Sequence, residues 1–256
     1  MRINNDIYDI ISCSSNVLLF SKTMPDINYI ARTATVGKEF EMVVRYIKFL
    51  TNKYKKLKNK HVAIFVEPQL DTGYPDIVLV EYNSIPKLEW SPHRKNLHAT
   101  DIKILFYVQR HGYCSVYDLH KKLGFSIETI KKTVLKLKKC GLVYLYSDDN
   151  CVRPVALKSY CRISKIISIE AKLDKWNEAI RQAANNVWFA TESYVLMNKA
   201  SCSNSIQAAC QANGVGIILV NGTMRTVLSS DKRQFPVSYA SLQFNEWILR
   251  YINTRR

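Results

Sequence analysis

IISIEAKLDKW, from Ile166 to Trp176, is the stretch on which the reading of the fold turns. Its leading isoleucines favour a strand. The residues that close it begin a helical pattern, DKWNEAIRQAANNVWFA, with Trp176, Ala179, Ile180, Ala183, Ala184 and Val187 on one stripe. Alternate strand residues share a face, so Glu170 and Lys172 are expected to point one way and Ala171 the other. Upstream, KEFEMVVRYIKFLTNKYKK (Lys38–Lys56) places Phe40, Val43, Val44, Ile47, Leu50 and Tyr54 at helical spacing. HVAIFVEPQL and DIVLVEY follow as strands joined by the turn DTGYP. Downstream come a strand in SYVLMN, a short helix in SNSIQAACQANG, a strand in VGIILV and a closing helix in SLQFNEWILRYINTRR. Strands alternating with helices predict an α/β fold, a mixed sheet flanked by helices.

The chain has 256 residues, 47% of them hydrophobic, enough for one large core or two smaller ones. Its 37 Lys and Arg against 21 Asp and Glu leave a formal charge of +16, which points to a polyanion and nucleic acid first. Seven scattered cysteines without a Cys-x-x-Cys pair argue against a zinc knuckle and a disulfide framework, and for a reducing compartment. No apolar run approaches the ~20 residues of a membrane span, and the N-terminus lacks a signal-peptide pattern, so a cytoplasmic protein with no membrane partner is expected. The five histidines have no metal-ligand spacing, and no Gly-x-x-x-x-Gly-Lys loop is present.

Between Asn83 and Asn96, Pro86 and Pro92 break the pattern and predict a linker. The text beyond it changes character. TDIKILFYVQRHG, SVYDLHKKLG and SIETIKKTVLKLKKCG read as three short helices, and LVYLYSDDNCVRPV as a hairpin. Thr100, Ser115 and Ser126 stand where N-caps belong, and Gly112, Gly124 and Gly141 where helices stop. Ile104, Leu105, Val108, Val116, Leu119, Leu123, Ile127, Ile130, Val134 and Leu137 are the expected trihelical core. The segment resembles a winged helix-turn-helix, which implies a recognition helix carrying Ser126, Thr129, Lys131, Lys132, Thr133, Lys136 and Lys138 toward DNA, and a wing with Arg153 on its return strand. Lysines so placed neutralise phosphates and give salt-sensitive binding with little base information. Winged helices also serve as protein-binding modules, and Asp148 and Asp149 at the wing tip would repel DNA.

Pro75-Asp76 at the head of one apolar strand and Glu170-Ala171-Lys172 at the end of another resemble the motif of the PD-(D/E)XK, or restriction-endonuclease-like, nuclease superfamily. The resemblance implies Mg²⁺ or Mn²⁺ held by Asp76, Glu170 and the Ala171 carbonyl. It also implies Lys172 as base or electrostatic partner, Gln182 as a polar residue on the following helix, and an acid on the preceding helix, Glu41 ahead of Glu39. Glu67, Asp71 and Glu81 are rival acids, with Glu67 and Glu81 ranked as surface or supporting groups. Hydrolysing a phosphodiester requires charge neutralisation at phosphate and an activated water, which a carboxylate-bound divalent ion supplies. Asp76 and Glu170 lie 94 residues apart, a wider gap than the motif usually spans. Treating the winged helix as an insertion restores a helix-strand-strand-strand-helix-strand order.

The expected organisation is therefore 1–98 and 157–256 as two parts of a nuclease domain, with 99–156 as the winged-helix insertion. The function expected is a Mg²⁺-dependent DNA endonuclease, of a defence or mobile-element kind, acting on duplex DNA alone, as a homodimer or with a partner protein. The alternatives are a non-catalytic DNA-binding regulator or assembly subunit on the same scaffold, and a nuclease directed at RNA.

Overall fold

A computed structural model describes residues 16–32, 36–84, 90–146 and 150–254. The chain divides into two compact units, one of residues 1–83 and 163–236, the other of 84–162 and 237–256.

The first unit is built on a seven-stranded mixed sheet. In chain order its elements are β1 (Val17–Phe20), α1 (Lys38–Lys55), β2 (His61–Val66) and β3 (Ile77–Tyr82), then β7 (Ile163–Lys172), α5 (Trp176–Asn185), β8 (Glu192–Met197), α6 (Asn204–Ala212), β9 (Gly216–Asn221) and β10 (Thr223–Leu228). The spatial order is β1-β2-β3-β7-β8-β9-β10. β1 and β2 pair in parallel, as do β7, β8 and β9, whereas β3 is antiparallel to both neighbours and β10 to β9. Five strands therefore run one way, and their carboxyl ends share one edge of the sheet. The expected helix-strand-strand-strand-helix-strand order is present as α1, β2, β3, β7, α5 and β8.

Both faces of the sheet are covered, which is why its central strands read as continuous Val and Ile runs rather than as an alternation. On one face Phe40, Val43, Val44, Ile47 and Leu50 of α1 pack with Ile64, Ile77, Leu79, Ile169, Ala171 and Leu196. On the other, Ala179, Ile180 and Ala183 of α5 and Ile206 and Cys210 of α6 pack with Val195, Met197, Ile217 and Leu219. Two strands escaped the sequence reading: β1 lies in the loosely patterned N-terminal region, and β10 is the mostly exposed edge strand of a hairpin.

The second unit holds α2 (Ala99–His111), β4 (Cys114–Ser115), α3 (Val116–Leu123), α4 (Ile127–Lys139), β5 (Val143–Tyr146), β6 (Cys151–Pro154) and α7 (Tyr239–Thr254). β4, β6 and β5 make a small antiparallel sheet. The trihelical core forms from Ile104, Leu105, Val108, Val116, Leu119, Ile130, Val134 and Leu137, with Leu123 packed partly against it. Ile127 is a correction: at the first position of α4 it is 43% exposed. Thr100 is another. His98 occupies the N-cap of α2, and its N–H donates to the Asp101 carboxylate. The wing-tip residues Ser147, Asp148 and Asp149 lie outside the described residues.

The organisation expected for the C-terminal part also needs correction. The closing helix α7 belongs with the winged helix and not with the large sheet. Arg94, expected in a linker, is 3% exposed and donates through Nε and Nη2 to Glu246 of α7. Arg250 donates to the carbonyls of Arg94 and Leu97, while Tyr239 and Leu242 join the trihelical core. A buried ion pair persists only where hydrogen bonds satisfy both partners. The carbonyls at the start of this unit and the charges of α7 supply that requirement for each other.

Candidate functional site

The β3–β7 register decides where the carboxylates stand. Ile77 pairs with Ile169, so Asp76, one residue earlier, lies opposite Glu170. Because Ile77, Ile169 and Ala171 fill the α1 face, Asp76 and Glu170 are turned to the other face together. The Ala171 N–H donates to Asp76 Oδ2 at 2.7 Å. In a strand a residue's N–H and C=O leave the backbone on the same side, so the Ala171 carbonyl also faces Asp76.

Glu170 is 3% exposed, and its Oε1 accepts from Asn186 Nδ2 at 2.6 Å. The same amide donates to Ser168 Oγ. Asp76 Oδ1 and Glu170 Oε2 accept no hydrogen bond among the described residues, so each carboxylate is fixed by one oxygen and presents the other. Burial, and then the Asp76 charge, push the Glu170 carboxyl up to about 8, against the opposing pull of Asn186 and Lys172. Burial raises Asp76 to about 6. The Ala171 N–H and Lys172 oppose that rise, while Glu67 and Glu39 add to it.

Lys172 at the end of β7 is mostly enclosed, with its Nζ 3.6 Å from Glu39 Oε2. Glu39 also accepts the Leu173 N–H. Glu41, favoured from sequence, is exposed one half-turn away, so Glu39 is the helix acid at the site. Gln182 is a second correction. Its Oε1 is enclosed without a hydrogen-bond partner, and Asn186 is the amide that reaches Glu170. The helical pattern of DKWNEAIRQAANNVWFA concealed this, because α5 stops at Asn185 and a 3-10 turn over Asn186–Trp188 re-aims the side chain. Glu67 is 6% exposed, not a surface group, and has φ +45° at the end of β2. Its N–H donates to the Asp76 carbonyl. A left-handed backbone at a non-glycine residue is uncommon and concentrates near functional sites. Glu81 is occupied by Tyr54 and Lys60 at the opposite edge of the sheet, and Asp71 is exposed in a turn.

Asp76, Glu170 and the Ala171 carbonyl are the groups that would hold a hard divalent ion here. Among the described residues no cluster of three His, Cys, Asp or Glu side chains is arranged to hold a metal. Mg²⁺, however, is commonly held by one or two carboxylates, with substrate phosphate and water completing its shell. Two carboxylates opposite each other on adjacent strands, each with an open oxygen and a pKa raised first by burial, are the donor set that such an ion would relieve.

In the second unit Ser126 caps α4, accepting from the Thr129 N–H and donating to Thr129 Oγ1. Ser126, Thr129, Lys131, Lys132 and Arg153 are exposed. Lys132 also bridges Glu128 one turn earlier. Thr133 is a correction: it is 5% exposed and donates to Asp101 Oδ1. Lys136 is the second, half-buried and bonded to Asp101 Oδ2 at 2.6 Å. Asp101 thus ties α4 to α2 and withdraws both residues from the outer face.

Residues 97–144 match the model of a family described as winged helix-turn-helix DNA-binding. No curated protein and no solved structure matches the chain. The chain therefore carries a winged helix-turn-helix DNA-binding domain, together with a seven-stranded α/β unit. Among the described residues no helix is long and apolar enough to cross a membrane.

Proposed function

We propose that the protein is a metal-dependent DNA endonuclease of the PD-(D/E)XK type, cytoplasmic, in which the winged helix supplies duplex affinity and the α/β unit cuts. The observation that carries this reading is the enclosed Asp76–Glu170 pair, braced by the Ala171 N–H and Asn186 and flanked by Lys172. Burying two like charges side by side is costly, and sites that do so are enriched in function. Asp76, Glu170 and the Ala171 carbonyl would hold Mg²⁺ or Mn²⁺, which when bound supplies charge neutralisation at the phosphate and acidifies a water.

The remaining steps belong to the chain. Asp76 and Glu170 must be ionised to bind a cation, so cation binding displaces the protons that their raised pKa values retain. Asn186 fixes the rotamer of Glu170, and the Ala171 N–H fixes that of Asp76. Lys172, held by Glu39, places an ammonium against the charge developing on the phosphate oxygens or orients the attacking water. Cutting both strands needs two such sites, so a homodimer or a partner protein belongs to this reading.

The alternative is a regulator or assembly subunit that binds DNA and does not cut, which is favoured by the lack, among the described residues, of three His, Cys, Asp or Glu side chains arranged to hold a metal. Incubating plasmid, single-stranded DNA and RNA with the protein in Mg²⁺ and in Mn²⁺, beside Asp76→Ala and Lys172→Ala, separates the readings. Nicking by the parent alone is the expected result. Duplex binding without cleavage of any substrate in either metal would replace the nuclease with the regulator.

A further inference from the structure

The carboxyl edge of the sheet holds a second feature that the carboxylate site does not use. Where β8 ends and the β9–β10 hairpin turns, a cavity of about 250 Å³ is lined by Lys199, Ala200, Leu219, Asn221, Thr223 and Arg225. Two of these side chains are cations, two are neutral hydrogen-bonding groups and none is an acid. Arg225 donates to the Ala200 carbonyl at 2.6 Å, which orients its guanidinium without neutralising it. Among the described residues neither Lys199 nor Arg225 has a carboxylate partner. An uncompensated Lys–Arg pair with a hydroxyl and an amide in one concavity suits a phosphate oxygen cluster, because a planar guanidinium and an ammonium both donate to phosphate.

The cavity is in line with Lys172, two residues beyond Glu170 on β7. Lys172 pairs with Met197, Met197 with Leu219, and Leu219 with Arg225, so Lys172 and Arg225 occupy one lateral row across four adjacent strands. Three strand spacings separate their backbones by about 14 Å, a distance that a nucleic-acid strand lying along the edge covers within a few nucleotides. Open α/β sheets bind ligands outside the carboxyl ends of their strands. Both features lie there.

We propose that the Lys199–Arg225 cavity seats a backbone phosphate of the DNA whose scissile phosphate lies at Asp76, Glu170 and Lys172. This assignment of the substrate's path rests on the nuclease reading. The site would position DNA without reading sequence, since phosphate contacts fix register and carry no base information.

The test is duplex binding by the full chain, followed by fluorescence anisotropy with chelator present, so that no cleavage intervenes. Affinity is measured across a salt series for the parent, for Lys199→Ala/Arg225→Ala, for Arg225→Lys, and for Lys53→Ala on α1 as a control. A lost phosphate contact lowers the slope of log K against log salt by about 0.9, so between about 50 and 200 mM salt the parent should lose ~3–4-fold more affinity than the double variant. Arg225→Lys and Lys53→Ala should keep the parent slope. Parallel slopes for parent and double variant overturn the proposal. Cleavage is scored separately: a parent that never cuts refutes the nuclease, whereas the slopes judge the phosphate seat.

Discussion

Raising the pH should weaken the metal-free protein through Glu170, and Glu170→Gln should abolish that part of the dependence. A carboxyl that holds its proton more tightly when folded contributes stability that is complete below its unfolded pKa and is lost as pH rises to the folded one. For Glu170 that window runs from 4.5 to about 8, and for Asp76 from 3.8 to about 6. Above about pH 6 Glu170 is therefore the member of the pair still losing stability. Inside the window the slope is about 1.4 kcal/mol per pH unit for one proton, flattening toward the folded pKa, so the step from about pH 6 to 8 costs roughly 2 kcal/mol. A glutamine retains an oxygen for Asn186 and has no charge to bury beside Asp76. Urea unfolding at the two pH values with chelator present, compared between parent and Glu170→Gln, isolates the term from every other titrating group. The parent should lose about 2 kcal/mol more than the variant. Added Mg²⁺ should then stabilise the parent more at the higher pH and leave the variant unmoved, because the ligands must first ionise. Parallel pH dependence in the two proteins would refute the argument that Glu170 is buried against a like charge.

Lys172→Ala should reduce single-turnover DNA cleavage by about 10²–10⁴-fold while leaving duplex affinity within a factor of about two, as expected of a group whose interaction is made in the transition state. Lys131→Ala should lower the salt slope of duplex binding by about 0.9. Thr133→Val should leave that slope unchanged and cost about 1 kcal/mol in thermal stability, since its hydroxyl serves Asp101 and not solvent. Arg94→Ala should destabilise the winged-helix unit by about 3–5 kcal/mol in a melt, because it strands the Glu246 carboxylate where it is 2% exposed.

Short-range patterns in the sequence carried the order of most elements, through apolar runs for strands, 3.6-residue stripes for helices and alternation for the facing of Glu170, whereas the pairing of Asp76 with Glu170 rested on the resemblance to the nuclease motif. They did not carry choices settled by long-range packing. Glu39 and Glu41 differ by about 200° around α1, and nothing local says which side meets the end of β7. Asn186 and Gln182 are both amides behind the same strand, and only the break at Asn185 turns one toward Glu170. Thr133 and Lys136 look like a solvated face until Asp101, more than thirty residues earlier, claims both. The closing helix was assigned by chain proximity, whereas its partner Arg94 lies 152 residues away.

The wide separation of Asp76 from Glu170 in the chain does not weaken their pairing, because register and not loop length sets their distance. β3 starts beside Asp76 and runs away from the carboxylates to Tyr82, which pairs with Ile163 at the head of β7. The chain leaves this unit after Asn83 and re-enters at Ile163, so the opening made by the insertion lies at the edge opposite the site, about 20 Å along the strands. Between those ends the partners run from Ile77 with Ile169 to Tyr82 with Ile163, with one irregularity near Glu81 at the far end. A slip of one residue would turn Glu170 into the α1 core and Ile169 and Ala171 out of it. Burial of Ile77, Leu79, Ile169 and Ala171 against α1 opposes that slip. The apolar half of ISIEAK therefore holds the carboxylates in place: the core specifies the register, and the register places Glu170 beside Asp76 whatever is spliced in behind them.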